Sequence, residues 1–134
     1  MAKLVKSIYT GTNVTSLGEL NDTDSIDQGV AGAITALSDA TSIATNLNLS
    51  NNFSVTLAGN RTLANPSGIT AGQSGSIFIT QDGSGSRTLA YGAYFKFVGG
   101  TAPVLSTAAN SVDRLDYVVA TTTKIHVVAS LDVK

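Results

Sequence analysis

The sequence predicts an all-β chain, and more specifically an antiparallel β-sandwich or jelly-roll-like domain. Residues 76–98 place a turn of small polar residues between two apolar stretches that suit half-buried strands. Apolar and polar side chains alternate with a period of two over residues 41–57, and they do so again at the end of the chain. About seven or eight strands at this spacing are typical of a sandwich or a jelly roll.

The beginning of the chain differs from the rest. We expect residues 1–38 to form an extended N-terminal arm and residues 39–134 to form the β-sandwich domain. Residues 4–10 suit a short strand, and a turn-rich segment follows them. A short helix near residues 29–38 is predicted from three apolar residues whose spacing is four and three: Val30, Ile34 and Leu37.

The segment 76–98 is interpreted as two strands joined by a tight reversal. Asp82-Gly83 and Gly85 would supply the positive φ angles that such a turn requires. We expect the large apolar side chains on either side to hold the core or a subunit interface: Ile77, Ile79, Phe95 and Phe97.

The last part of the chain predicts a second hairpin. Alternation runs through residues 115–119 and 125–133, and Thr121-Thr122-Thr123 would close the turn between them. A weaker signal is the similarity of NRTLAN (60–65) to SRTLAY (86–91). Two copies are too few for a solenoid, so we interpret them as two similar hairpin strands.

Composition excludes several functional classes. Charged residues make up 13% of the chain, about half the usual share, and the net charge is −1 with no basic run. A nucleic-acid groove would need clustered Lys and Arg, so no nucleic-acid partner is expected. Cysteine is absent, and no segment approaches the roughly 20 apolar residues of a membrane helix. Without a signal peptide, the chain is expected to be made in a cytoplasm.

No reaction centre emerges from the residues that could carry chemistry. His126 is the only histidine. It lies on the polar face of the last predicted strand, so we expect its side chain to be exposed. A small hydrolase would need His126 near a serine and an acid, and no G-x-S-x-G elbow is present. Asp22, Asp24 and Asp27 lack the remaining ligands of an EF-hand loop. We therefore expect a non-enzymatic protein with no catalytic residue, no metal and no cofactor.

Several motifs together resemble a β-module of tailed-bacteriophage virion proteins. They are NRTLANP (60–66), QDGSGSRTL (81–89), FVGGTAPVLST (97–107) and DRLDY (113–117), with YTGTNVTSLGEL (9–20) similar to segments of fibre and decoration proteins. The resemblance covers about the last 85 residues of the chain. It implies a virion part in a tail fibre or on the capsid surface, and it carries no catalytic residues.

Between these virion roles, we expect first a capsid decoration, or cement, protein. The chain is short and shows no fibre shaft, and a charge-poor surface suits burial between copies. The protein would be a homotrimer on the capsid exterior that binds the major capsid protein and stabilises the expanded shell. The arm would provide the shell contacts through Lys3, Leu4, Val5, Lys6, Ile8 and Tyr9.

The alternative is an adhesin, in a tail fibre or a capsid fibre, that binds host-surface glycans. This role predicts an exposed aromatic patch, for which Tyr91 and Tyr94 are the candidates.

Overall fold

The computed structural model describes residues 32–134, and the regular secondary structure of this part of the chain is almost entirely β-strand, as the sequence predicts. No helix in it is long and apolar enough to cross a membrane. A 3₁₀ turn at Val98–Gly100 follows the seventh strand. The strands in chain order are β1 (Ile34–Ala36), β2 (Ser42–Ile43), β3 (Asn52–Leu57), β4 (Arg61–Leu63), β5 (Ser74–Gln81), β6 (Leu89–Tyr91), β7 (Phe95–Phe97), β8 (Val112–Thr121) and β9 (Lys124–Ser130).

The strands form two sheets, and the first six alternate between them. A six-stranded sheet has the order β1-β3-β5-β8-β9-β7, and a three-stranded sheet has the order β2-β4-β6. Both β1-β3-β5 and β2-β4-β6 are parallel rows. The chain therefore winds as a coil in which each strand pairs with the one formed a turn earlier.

The sheets are thus mixed, whereas the sequence predicted antiparallel ones. Only β5-β8 and β8-β9 are antiparallel pairs within the described residues, and β7 pairs with β9 in parallel. Alternation of apolar and polar residues reports that a strand has one buried face. It carries no information on the direction of the neighbouring strand.

The alternating segment 41–57 contains a corner. β2 lies in the small sheet and β3 in the large one, and the residues between them turn the chain from one to the other. Asn46 Oδ1 accepts a hydrogen bond from the Asn48 N–H at 3.1 Å, and Ser50 Oγ accepts one from the Asn52 N–H at 3.0 Å. Such short-range side-chain contacts favour a turn over a continuous strand.

The interpretation of residues 76–98 as a hairpin is wrong. The partners of β5 are β3 and β8, while β6 belongs to the other sheet. The intervening turn is another corner of the coil, in which Gly85 has φ 69° and Gly83 has no positive φ. A Cβ on Gly85 would collide with the carbonyl oxygen of Thr107, so the corner is packed against a distant loop.

The predicted helix near residues 29–38 is also wrong over its described part. Ile34–Ala36 is the strand β1, and Ile34 lies opposite Asn52 of β3 in a parallel register. Ile34 and Thr35 are β-branched and therefore fit a pleated strand well. The predicted strand at residues 4–10 lies outside the described residues, and the predicted boundary at residue 38 stays a prediction.

The predicted C-terminal hairpin is confirmed. β8 and β9 pair antiparallel from Arg114↔Ser130 to Thr121↔Lys124, with Thr122 and Thr123 forming the loop. β9 ends at Ser130, earlier than the alternation suggested. Asp132 adopts a positive φ of 49°, and its N–H donates to Asp113.

One hydrophobic core lies between the two sheets. Its fully buried side chains come from the small sheet, through Ile43 and Leu63, and from the large sheet, through Phe53, Leu115 and Ile125. The inward faces of β8 and β9 are almost wholly apolar. Their outward faces are therefore the surface that this part of the molecule presents to its surroundings.

Candidate interaction surface

The apolar residues predicted for the core or a subunit interface lie in and around the core. Ile77, Ile79 and Phe95 are buried, and Phe97 is half-buried against the same cluster. Their role in a subunit interface stays a prediction. The residues predicted to contact the capsid lie outside the described residues: Lys3, Leu4, Val5, Lys6, Ile8 and Tyr9.

The tyrosines considered for a glycan platform pack inward. The ring of Tyr91 lies edge-on to those of Phe95 and Phe97, with centroids 6.1 and 4.8 Å away, and its hydroxyl is buried without a hydrogen-bond partner among the described residues. Burial, with the charge of Asp113 as a smaller cause, raises the pKa of Tyr91. Tyr94 is half-buried against the core. These rings stabilise the domain and do not form an exposed platform.

Asp113 is a buried carboxylate that ties three segments together. One oxygen accepts hydrogen bonds from Ser106 Oγ at 2.7 Å and from the Asp132 N–H at 2.8 Å. The other accepts one from the Ser106 N–H at 2.7 Å. Through these hydrogen bonds, Asp113 holds the loop before β8 and the C-terminal residues to the base of the hairpin.

Every other acidic residue between positions 32 and 134 is paired with a cation. The four pairs have N···O distances of 2.7 to 2.9 Å and are Asp39–Arg61, Asp82–Arg87, Asp116–Arg114 and Asp132–Lys134. Hydrogen bonding to Arg61 lowers the pKa of Asp39, and hydrogen bonding to Arg87 lowers the pKa of Asp82. The carboxylates of this part of the chain are therefore already neutralised.

Three cationic or potentially cationic side chains have no carboxylate partner within the same described residues, and they lie together. Lys124 and His126 point outward from β9, and Lys96 points outward from β7. Lys96 lies directly beside His126 in the register of the two strands. The Lys96 ammonium donates one hydrogen bond to the Ala93 carbonyl, which leaves its charge uncompensated.

Exposed valines complete this surface. Val118 of β8 lies beside His126 on the side opposite Lys96, and Val128 follows His126 on the same face of β9. Val98, Val118 and Val128 are 79%, 52% and 57% exposed. A shallow concavity of about 480 Å³ is lined by these valines together with Lys96, His126 and Asp116. We call the surface formed by Lys96, Val118, Lys124, His126 and Val128 the β7–β9 face.

The β7–β9 face offers positive charge and small apolar surfaces. The register neighbours of His126 are Lys96 and Val118, which provide neither the hydroxyl nor the carboxylate of a hydrolytic triad. Across residues 32–134, no group of three or more His, Asp or Glu side chains lies close enough together to hold a metal ion. This arrangement suits binding. The alternation of apolar and polar residues in the sequence was sufficient to place Lys124 and His126 on a common polar face.

Comparison with known protein families places most of the described residues in one family. The family described as "Putative phage tail fibre C-terminal domain" matches residues 36–124, about two thirds of the chain. No curated protein and no solved structure matches the chain.

Proposed function

The chain belongs to the phage tail fibre C-terminal domain family and is a structural protein of a phage virion; from that premise we propose that it is a non-enzymatic module of a tail fibre that binds glycans on the host surface. The family match, which covers most of the described β-domain, is the observation that carries this proposal. It favours the adhesin alternative over the capsid decoration that the sequence first suggested.

The outward faces of the strands support a binding role. Tail-fibre modules act at the outside of the particle, where a ligand meets the domain surface. The β7–β9 face combines lysines that have no carboxylate partner among the described residues with valines that are open to solvent. An exposed apolar patch bordered by polar groups is typical of an interaction site.

Self-association is the second part of the proposal. Charged residues make up only 13% of the chain, and so few charges give copies little mutual repulsion, which favours association. A homotrimer is the oligomer that we propose. Ile77, Ile79 and Phe95 are buried within one domain, which makes exposed apolar residues away from the β7–β9 face, such as Ile34, Leu49 and Val104, better candidates for subunit contacts.

Antibody labelling of intact virions tests the location. Gold-labelled antibody against the purified protein should decorate tail fibres in electron micrographs. Label confined to the capsid shell would overturn the tail-fibre assignment and restore the decoration role.

An adsorption assay tests the binding activity. Saturating purified protein should slow adsorption of the phage to its host, since it would occupy the same glycans. Unchanged adsorption together with no binding of the protein to host cells would contradict the adhesin role.

A further inference from the structure

We infer that the β7–β9 face binds an acidic polysaccharide through the carboxylates of its uronic-acid residues. This inference rests on the proposed function and names the chemical class of the glycan. Lys96, Lys124 and His126 would meet the carboxylates, and Val118 and Val128 would pack against the apolar faces of the sugar rings.

The distribution of charge favours an anionic ligand. Each acid in the described part of the chain is either paired with a cation or, like Asp113, buried under hydrogen bonds. The cations left without a carboxylate lie together on β7 and β9 and do not scatter over the surface. A ligand that supplies carboxylates would compensate them, whereas a neutral glycan would leave them as they are.

The spacing of these cations suits charges repeated along a chain. Adjacent strands lie about 5 Å apart, so Lys96 is a close neighbour of His126. Lys124 lies two residues from His126 on one strand face, which places their backbones about 7 Å apart. Lys96 and Lys124 therefore offer separate positive charges on neighbouring strands, and the imidazole of His126 lies between them as a hydrogen-bonding group, so the three can meet successive carboxylates. No unpaired arginine lies on this face to offer the bidentate fork that suits a phosphate.

The packing of the aromatic residues points to the same ligand class. Tyr91 lies edge-on to Phe95 and Phe97, and all three side chains pack in or against the core. Of the aromatic residues that line the concavity, Phe97 is half-buried and Tyr117 is buried, so neither offers an exposed platform for a neutral sugar. Charge and small apolar contacts are what the face can offer. One carboxylate, Asp116, lines the concavity and lies beside Val128 in the register of β8 and β9. It is already paired with Arg114 and accepts a hydrogen bond from Ser76 Oγ at 2.6 Å, so its charge is compensated within the domain.

The inference is tested by calorimetry with the full-length protein and defined polymers. De-esterified polygalacturonate is the probe, neutral dextran is the uncharged comparison, and polyphosphate is the phosphate comparison. The wild type should bind polygalacturonate, with an affinity that falls as NaCl is raised because salt screens exposed charges. Dextran should give no signal, and polyphosphate should bind more weakly.

A charge-removal variant locates the site. The double variant Lys96→Gln/Lys124→Gln should lose about tenfold or more in affinity for polygalacturonate. Lys134→Gln is the matched control, because Lys134 is an exposed lysine already paired with Asp132, and its affinity should equal that of the wild type. Circular dichroism should show that both variants fold, since the replaced side chains are exposed.

Three results would overturn the inference. The first is unchanged affinity in the double variant, and the second is binding of polyphosphate at least as tightly as polygalacturonate. The third is a changed oligomeric state in the double variant with polygalacturonate affinity retained, which would assign the face to another copy of the chain. If the double variant still blocks phage adsorption as well as the wild type, the proposed function stands and this site for it does not.

Discussion

The coil formed by β1–β6 and the hairpin formed by β8 and β9 bury similar side chains, yet the residues that pair in them differ in how far apart they lie in the sequence. In the hairpin, Thr121 pairs with Lys124 across a two-residue loop, so neighbours in space are close in sequence. In the coil, Ile34 pairs with Asn52 and Arg61 with Leu89, across corners that must turn the chain at the correct residue. The coil therefore depends more on individual close approaches between distant residues.

The largest effect is expected from Gly75→Ala, at a close approach of the coil. A Cβ on Gly75 would overlap the carbonyl group of Asn51, which also accepts a hydrogen bond from the Tyr117 hydroxyl at 2.8 Å. A backbone group fixed in this way has little room to move. We expect a loss of about 3 kcal/mol or more in the free energy of unfolding, measured by urea denaturation.

Gly83→Ala is the control for that substitution. Gly83 lies in a corner of the same coil, has no positive φ, and would place its Cβ in open space. Its free energy of unfolding should stay within about 1 kcal/mol of the wild type. Equal losses in the two variants would contradict the importance of the Gly75 contact.

The next effect is expected at the base of the hairpin. Asp113→Asn replaces a buried carboxylate that accepts three hydrogen bonds, two from Ser106 and one from the Asp132 N–H. The amide NH₂ of Asn would face a donor, so we expect a loss of about 2 kcal/mol. Hydrogen exchange should show faster opening of the Ser106 and Asp132 amides, with the coil amides protected as before. Loss of protection across both regions alike would show that the network supports the whole domain.

The difference between coil and hairpin also explains how far the sequence could predict the fold. Alternation in residues 124–130 and the Thr-rich loop identify β9 and its hairpin, because both signals are local. The resemblance of residues 60–65 to 86–91 marks β4 and β6, but the interpretation of these segments as hairpin strands is wrong, because they are adjacent parallel strands of the coil. Their register pairs Leu63 with Tyr91 and not with Leu89, so the structural offset differs from the sequence offset by two residues. An even shift keeps the same side chains inward, and alternation cannot detect it.

The candidate site was predictable only in part for the same reason. Alternation placed Lys124 and His126 on one polar face of β9. Lys96 joins them because β7 pairs with β9 in parallel, and Val118 joins them through the hairpin. The inward packing of Tyr91 against Phe97 likewise depends on the fold of β6 and β7, which the sequence pattern does not specify.

One substitution made at two tyrosines should give opposite results. Tyr117→Phe removes the hydroxyl that links β8 to Asn51 in the coil, and we expect a loss of about 1 kcal/mol. Tyr91→Phe removes a buried hydroxyl with no hydrogen-bond partner among the described residues. The free energy of unfolding of this variant should therefore rise by up to about 1 kcal/mol. Thermal and urea denaturation of both variants measure the two signs. Destabilisation by Tyr91→Phe would show that its hydroxyl has a partner, such as an ordered water.

The smallest effect is expected at the exposed corner of the coil between β5 and β6, and it depends on pH. Hydrogen bonds from Arg87 and from the Ser84 and Gly85 N–H groups lower the pKa of Asp82 below its ordinary 3.8 in the folded state. A carboxyl whose pKa is lowered by folding stabilises the folded protein at pH values above its ordinary pKa. That contribution is lost as the pH falls through the lowered pKa of the folded state.

The melting temperature of the wild type should therefore decline as pH falls below about 4, and Asp82→Asn should decline less steeply. At neutral pH the variant should melt slightly below the wild type, because an exposed ion pair contributes little. Arg87→Gln removes the partner cation and should flatten the acid decline in a similar way, whereas the Asp39–Arg61 pair remains in both variants. Parallel acid profiles in the wild type and in Asp82→Asn would show that this corner contributes nothing to acid sensitivity, and the Asp39–Arg61 pair, where hydrogen bonding also lowers the carboxyl pKa, would then be the place to test next.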